Sequence, residues 1–120
     1  MSAAEWLWPV WVGANLPYTF TISDALGARV DLTGITLALR IEWPGGQISM
    51  QSGAGNGLVI ENQADPVTRG QFTVTLSLEQ SRALPTALRA RYGIEHREGG
   101  LQFPIMVGEI AATQWVNSDE

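Results

Sequence analysis

The stretch ITLALRIEW, residues 35–43, decides the fold class of this 120-residue chain. Its odd-numbered positions are all apolar, whereas the even-numbered ones include Arg40 and Glu42. Successive side chains of a β-strand point to opposite faces, so this period of two predicts a half-buried strand. Pro44-Gly45-Gly46 closes the stretch and residues 47–51 restore the period, which together predict a β-hairpin.

The same period recurs along most of the chain. The further predicted strands cover residues 18–23, 29–32, 47–51, 58–61, 71–78, 89–98, 101–107 and 109–115. We expect a bulge or bend at Gly108, between the last two strands. Turn chemistry separates many of them, as in Asp24-Ala25-Leu26-Gly27 and Glu98-Gly99-Gly100, and residues 52–57 and 62–70 are predicted loops.

The period changes once, after residue 77. Ser77 and Gln80 have the spacing of a capping box, which predicts a short helix over residues 78–84 that ends before Pro85. Roughly seven or eight short strands with one helical crossover are typical of an all-β, antiparallel, immunoglobulin-like β-sandwich. We divide the chain into an extended N-terminal arm, residues 1–16, a β-sandwich domain, residues 17–116, and a polar tail, residues 117–120.

Composition argues against several classes of function. Twelve acidic residues face seven basic ones, all arginine, and the net charge of −5 is opposite to what phosphate binding requires. We therefore expect no direct binding of nucleic acid. The absence of cysteine excludes disulfides and thiolate metal sites. No apolar run is long enough to span a bilayer, and the N-terminus lacks a signal peptide's basic region, so we expect synthesis in the cytoplasm.

Residues that could carry chemistry are few and scattered. His96 has neither a second histidine nor a cysteine with which to bind zinc, and no nucleophile can be assigned to it. The carboxylates that could converge on a catalytic or calcium site all lie beside predicted turns: Asp24, Asp31, Glu95, Glu98 and Glu109. The glycines of residues 53–57 lack the following helix of a phosphate loop. We predict a protein that is not an enzyme, with no cofactor and no metal.

The arm is the unusual feature. Trp6, Trp8 and Trp11 fall within it, and Pro9 argues against a helix, so an extended segment is predicted with Trp6 and Trp8 on one side and Trp11 on the other. Two interpretations remain open: the tryptophans cover the chain's own core, or some of them insert into a neighbouring subunit. A segment apolar on both sides favours a partner. The predicted protein-interface residues are Trp6, Leu7, Trp8, Val10 and Trp11.

Residues 17–112 resemble a family of small virion proteins of tailed bacteriophages, in particular the N-terminal domain of BppU-type upper baseplate proteins. The resemblance rests on short motifs: Tyr18-Thr19-Phe20-Thr21-Ile22-Ser23-Asp24, Gly27, Val30-Asp31-Leu32-Thr33-Gly34, Gly70-Gln71-Phe72, Leu78-Glu79-Gln80-Ser81, Tyr92-Gly93-Ile94-Glu95 and the Gly99-Gly100 hairpin. It implies an immunoglobulin-like sandwich that attaches receptor-binding proteins or fibres to a tail, baseplate or capsid. The tryptophan-rich arm is not part of the family pattern.

These features predict a non-catalytic structural protein of a phage virion. It would be an adaptor or docking subunit, made in the host cytoplasm and present in multiple symmetric copies, whose partners are other tail, baseplate, fibre or capsid proteins. The alternative is a carbohydrate- or ligand-binding β-sandwich whose exposed tryptophans stack on sugar rings.

Overall fold

The computed structural model describes residues 4–53, 57–98 and 101–114. Within them lie nine strands and one α-helix. In chain order these are β1 (Ala4–Glu5), β2 (Trp8–Val12), β3 (Pro17–Thr21), β4 (Thr36–Trp43), β5 (Gly46–Gln51), β6 (Leu58–Ile60), β7 (Gln71–Thr75), α1 (Leu78–Ala83), β8 (Ala90–Glu98) and β9 (Leu101–Gln114). The prediction of an all-β fold is confirmed. No helix in these three segments is long and apolar enough to cross a membrane.

The strands form two sheets whose inner faces share one hydrophobic core. The larger sheet has the order β1-β9-β8-β4-β5, with β2 also pairing with β9, and the smaller has the order β3-β7-β6. β1 and β2 run parallel to β9, whereas β8 runs antiparallel to it. The larger sheet is therefore mixed, which corrects the prediction of antiparallel strands throughout. A period of two identifies a strand but not the direction of its neighbour.

The stretch that decides the fold class forms β4, and the predicted hairpin with β5 is confirmed. Leu37, Leu39 and Ile41 are buried, while Arg40 lies on the exposed face. The register pairs Trp43 with Gly46 across a two-residue turn. A Cβ on Gly46 would lie 2.5 Å from the Trp43 ring, so any other residue there would require this ring to move.

The predicted capping box at the start of α1 is confirmed. The Ser77 hydroxyl accepts a hydrogen bond from the Gln80 N–H at 3.0 Å, and the Gln80 side chain accepts one from the Ser77 N–H at 2.9 Å. Two N–H groups that lack partners within the helix are thereby satisfied. The helix joins β7 of the smaller sheet to β8 of the larger one.

β9 differs from its prediction. It is one continuous strand from Leu101 to Gln114, whereas the sequence pattern divided it at Gly108. The irregularity in its pairing with β8 lies elsewhere, since Ile94 pairs with Met106 while Glu95 pairs with Pro104. Gly108 instead accommodates the backbone of Trp6, which connects β1 to β2 and approaches it closely.

The predicted strand at residues 29–32 is replaced by turns. Ser23 and Arg29 form one isolated bridge, closing a turn in which the Asp24 carboxylate accepts hydrogen bonds from the N–H groups of Leu26 and Ala28. Asp, the residue that most readily binds its own downstream backbone, therefore determines this turn.

A second aspartate shapes the next turn. The Asp31 carboxylate accepts hydrogen bonds from the hydroxyl of Thr33 at 2.6 Å and from its N–H at 2.9 Å. These two bonds, the hydroxyl's first, lower the pKa of Asp31 below its ordinary value. Gly34 follows with a φ of 74°, which redirects the chain into β4.

Gln63 organises the long connection between β6 and β7, a role that the sequence pattern did not indicate. Its side chain is buried, and its amide oxygen accepts hydrogen bonds from the N–H groups of Leu32 at 2.9 Å and Gly70 at 2.8 Å. Its amide nitrogen donates to the Glu61 carbonyl at 2.8 Å. The connection is therefore held by one side chain rather than being a loose loop. The centre of the other predicted glycine-rich loop, residues 54–56, lies outside the described residues.

Candidate docking site at the N-terminal strand

The N-terminal arm supplies two edge strands of the larger sheet. β2 pairs along its whole length with residues 110–114 of β9. Along β2 the burial alternates, with Trp8, Val10 and Val12 buried and Pro9 and Trp11 exposed. The Trp8 ring makes edge-to-face contacts with Tyr18, Phe20 and Tyr92, at centroid distances of 5.2 to 5.5 Å. Trp8 is therefore a central residue of the chain's own core.

The arm is held in place at its start by three contacts with Trp6. The Trp6 N–H donates to the Val107 carbonyl at 3.2 Å, and the Tyr92 hydroxyl donates to the Trp6 carbonyl at 2.6 Å. Gly108 permits this close approach, because a Cβ on it would lie 2.1 Å from the Trp6 carbonyl oxygen. Burial raises the pKa of Tyr92 to about 12, so the phenol keeps the proton that it donates.

The end of the arm is held by two more hydrogen bonds. The Trp11 N–H donates to the Tyr18 hydroxyl at 3.2 Å. The Gly13 N–H donates to the buried Ser81 hydroxyl at 3.0 Å, which ties the arm to α1. Contacts with both sheets and with the helix therefore fix the arm on its own domain.

Three apolar side chains of this fixed arm remain partly in solvent. Trp6, Leu7 and Trp11 are 44%, 46% and 43% exposed. Trp6 also touches the core, with its ring edge-to-face on Phe20 at 5.3 Å. Of the five predicted interface residues, Trp8 and Val10 are buried in the chain's own core and are not accessible to a partner. The remaining three are the exposed side chains on the two sides of the arm, and we call them the arm surface: Trp6, whose ring lies on the same side as Trp8, and Leu7 and Trp11.

Two open grooves lie beside the arm surface at one end of the larger sheet. The arm groove, of about 550 Å³, is lined by Trp6 and Leu7 on one side and by residues of β8 and β9 on the other. The hairpin groove, of about 400 Å³, is lined by Trp43 and Pro44 of the β4–β5 hairpin. Arg89 and Arg91 line both grooves, so the two are neighbours.

The charges of these grooves form a row across three strands. Arg91 pairs in register with Glu109 on β9 and with Glu42 on β4. Each of these glutamates instead contacts another arginine: Glu109 lies 3.5 Å from Arg89, and Glu42 lies 2.6 Å from Arg40. Among the described side chains, Arg91 makes no ion pair, so its guanidinium donors can bind a ligand or partner.

The other residues considered from sequence hold local structure or lie elsewhere. The His96 ring packs on Phe103 at 5.5 Å, and Glu95 lies 2.9 Å from Arg97. Asp24 and Asp31 hold turns, as described above. No group of three or more histidine, aspartate or glutamate side chains in the described part of the chain could hold a metal ion.

The sequence interpretation did not include the grooves. Trp43 and Arg91 lie on strands distant in sequence from the arm, and Arg89 directly precedes one of them. The sequence did contain one indication of this surface. Arg89 and Arg91 lie on either side of the buried Ala90, and both are exposed. Two positive charges close together on one face can attract an anionic ligand or partner.

A scan against models of protein families finds no match to this sequence, and a search of curated proteins finds no match either.

Proposed function

We propose that this chain is a non-catalytic docking subunit that binds another protein through its arm surface. The observation that carries the proposal is the division of the arm between two environments. Trp8 completes the chain's own core, whereas Trp6, Leu7 and Trp11 stay partly exposed on a strand fixed by hydrogen bonds. A rigid aromatic surface loses little conformational entropy on binding, and tryptophan is enriched at interface hot spots.

The strand order supports a finer assignment of the fold as an immunoglobulin-like sandwich. Variable-type immunoglobulin domains place strands G, F, C and C′ in one sheet and B, E and D in the other. Here β9, β8, β4 and β5 have the first order, and β3, β7 and β6 have the second. The arm adds β1 and β2 beside the last strand.

We further propose that the docking takes place in a tailed-phage virion. The described motifs that resemble BppU-type baseplate domains lie on β3, on the two aspartate turns, at the start of β7, on α1 and on β8. The chain would be an adaptor of a tail, baseplate or capsid, present in several symmetric copies, because such assemblies use closed symmetry.

The arm surface can supply useful binding energy. Fully burying a large apolar side chain contributes roughly 1.5–3 kcal/mol, so covering the exposed part of each contributes about 1 kcal/mol. A partner that covers both sides of the arm then gains about 3 kcal/mol from the three side chains. That amount fits a docking contact repeated around a symmetric particle, where avidity strengthens weak contacts.

The test is co-sedimentation of the purified chain with phage particles assembled without it, from a phage in which the gene for this chain is deleted. We expect the wild type to sediment with the particles. A Leu7→Ala/Trp11→Ala variant should bind them with an affinity more than tenfold lower. Leu26→Ala is the matched control, because Leu26 is 95% exposed and lies in a turn outside the arm. Wild-type chain that stays in the supernatant, or a double variant that binds normally, contradicts the proposal.

The grooves favour one second candidate function, the binding of a carbohydrate. Trp6 and Trp43 each line a groove, and Arg89 and Arg91 between them offer hydrogen-bond donors. An aromatic face beside polar donors is the arrangement that orients small polar ligands. A glycan array separates the two functions: sugar binding that is lost with Trp43→Ala but kept with Trp11→Ala supports this candidate, and no bound glycan rejects it.

A further inference from the structure

The two edges of the larger sheet differ in how their backbone groups are satisfied. An edge strand presents a row of free N–H and C=O groups, to which another strand can add. At the β2 edge this row is interrupted: Pro9 has no N–H, and the Trp11 N–H already donates to Tyr18. The Trp6 N–H, by contrast, points toward β9 and donates to the Val107 carbonyl. Because the backbone groups of alternate residues point to opposite edges of a strand, those of the odd-numbered residues of the arm point to the free edge.

The opposite edge, β5, has no such interruption among the described residues. Of the strands in the described segments, β5 pairs with β4 alone, and the pairing is regular from Gly46 to Gln51. The two-residue turn makes Trp43 and Gly46 a hydrogen-bonded pair, and the Ser52 N–H donates to the Leu37 carbonyl at 2.8 Å. The backbone groups of even-numbered residues on this strand therefore point toward β4. Alternate residues of an antiparallel edge strand face away from its partner. The outward groups therefore belong to Gln47, Ser49 and Gln51.

β5 also lacks the side chains that normally protect an edge. It contains no proline and no charged residue. Gln47, Ser49 and Gln51 are exposed on the outer face, and Ile48 and Met50 cover the core on the inner face. Charges, prolines and bulges are the common devices against edge-to-edge pairing, and β5 has none of them.

The order of residues in β5 identifies the strand that fits this edge. Gln47-Ile48-Ser49-Met50-Gln51 reads nearly the same in both directions about Ser49. If a second copy pairs antiparallel about this centre, Ser49 lies opposite Ser49, glutamine opposite glutamine, and Ile48 opposite Met50. Each pair joins two uncharged residues of similar polarity, so no repulsion between like charges opposes the pairing.

We infer that β5 is a self-pairing edge, through which two copies of this chain join their larger sheets into one continuous sheet. Three hydrogen-bonded residue pairs give about six backbone hydrogen bonds. Ile48 and Met50 are already buried in each copy's own core, so the backbone hydrogen bonds carry the contact. The contact is isologous, as closed two-fold symmetry requires. It uses no residue of the arm surface, so it goes beyond the proposed docking function.

The pairing centre on Ser49 gives a sharp test by sedimentation equilibrium of the full chain. We expect a reversible monomer–dimer equilibrium in the wild type across a roughly hundredfold range of concentration. Ser49→Lys and Ser49→Asp should each weaken the dimer at least tenfold, because like charges then lie directly opposite each other. An equimolar mixture of these two variants should restore association as a heterodimer. Ser49→Thr, which is uncharged and favours strands, is the matched control.

Each other outcome contradicts the inference. A wild type that stays monomeric over the whole range, or a dimer indifferent to Ser49→Lys, shows that β5 does not self-pair. A dimer abolished by Trp11→Ala but not by Ser49→Lys places the contact on the arm instead. Circular dichroism of every variant verifies that it is folded. The result is independent of particle binding, since Ser49→Lys leaves the arm surface intact.

Discussion

The hydroxyl of Tyr92 donates a 2.6 Å hydrogen bond to the carbonyl oxygen of Trp6, which joins β8 to the N-terminal arm. Tyr92 faces inward and is buried, and its ring also contacts Trp8. One side chain therefore both packs the core and positions the arm surface. The stability of the arm and the geometry of the docking site are linked through this residue.

We expect Tyr92→Phe to loosen the start of the arm while preserving the fold. The substitution keeps the aromatic contact with Trp8 but removes the bond to Trp6, at a cost of roughly 1 kcal/mol. Urea unfolding measures this loss, and hydrogen exchange should show faster exchange of the amides of residues 6–12. Unchanged exchange in the arm would mean that the hydroxyl does not hold it.

Alkaline pH should act on the same bond. Because the pKa of Tyr92 is raised to about 12 from an ordinary value of 10, the folded state holds a proton that the unfolded chain releases. The stability from this group is fully present below pH 10 and is lost as the pH rises through about 12. The wild type should therefore lose unfolding free energy over this range more steeply than Tyr92→Phe. Parallel pH profiles of the two proteins would disprove the assignment.

Gly108→Ala should separate the arm from the sheet by steric overlap. The added methyl group would lie 2.1 Å from the Trp6 carbonyl oxygen and 3.0 Å from the Tyr92 ring. We expect a destabilisation of at least about 2 kcal/mol. Gly93→Ala is the matched control, because Gly93 pairs in register with Val107 on the adjacent strand but has no atom within 4 Å of an added Cβ. It should stay within about 0.5 kcal/mol of the wild type. Equal effects of the two substitutions would contradict the close-approach role of Gly108.

The features that sequence analysis predicted correctly are those fixed by neighbours in the chain. The hairpin around Pro44 and Gly45 and the capping box of Ser77 and Gln80 each depend on a few consecutive residues. Alternation likewise places Leu37, Leu39 and Ile41 in the core without knowledge of their partners.

The features that sequence analysis missed depend on residues far apart in the chain. Tyr92 and Trp6 are separated by 86 positions, and Leu32 and Gln63 by 31. Gly108 was interpreted as a bend because the sequence does not reveal which backbone approaches it. The two interpretations of the arm could not be separated for the same reason, since burial of Trp8 depends on Phe20 and Tyr92 from other strands.

Gln63→Ala should destabilise the protein although Gln63 belongs to a connection between strands. It would leave the N–H groups of Leu32 and Gly70 without their acceptor in a buried setting. Each unsatisfied buried group costs roughly 1–3 kcal/mol, so we expect a total of about 2–4 kcal/mol in urea unfolding. Leu26→Ala, at a turn position that is 95% exposed, is the control and should change stability by less than about 0.5 kcal/mol. A neutral Gln63→Ala would mean that water replaces the amide without cost.

Alanine at Trp8 and at Trp11 should separate the two roles of the arm. Trp8 is fully buried among Tyr18, Phe20 and Tyr92, so Trp8→Ala should cost roughly 3–5 kcal/mol of unfolding free energy. Trp11 is 43% exposed, so Trp11→Ala should cost about 1 kcal/mol or less while weakening docking.

Trp8→Phe refines this prediction. The Trp8 indole N–H is buried and has no hydrogen-bond partner among the described residues, and phenylalanine removes this unsatisfied donor. The destabilisation by Trp8→Phe should therefore be well below that by Trp8→Ala, about 1–2 kcal/mol, because the loss of volume is offset by the loss of an unpaired polar group.

The comparison of Trp8→Ala with Trp11→Ala can also contradict the docking role. If Trp11→Ala proves as destabilising as Trp8→Ala, then both sides of the arm stabilise the fold, and the arm surface does not serve a partner.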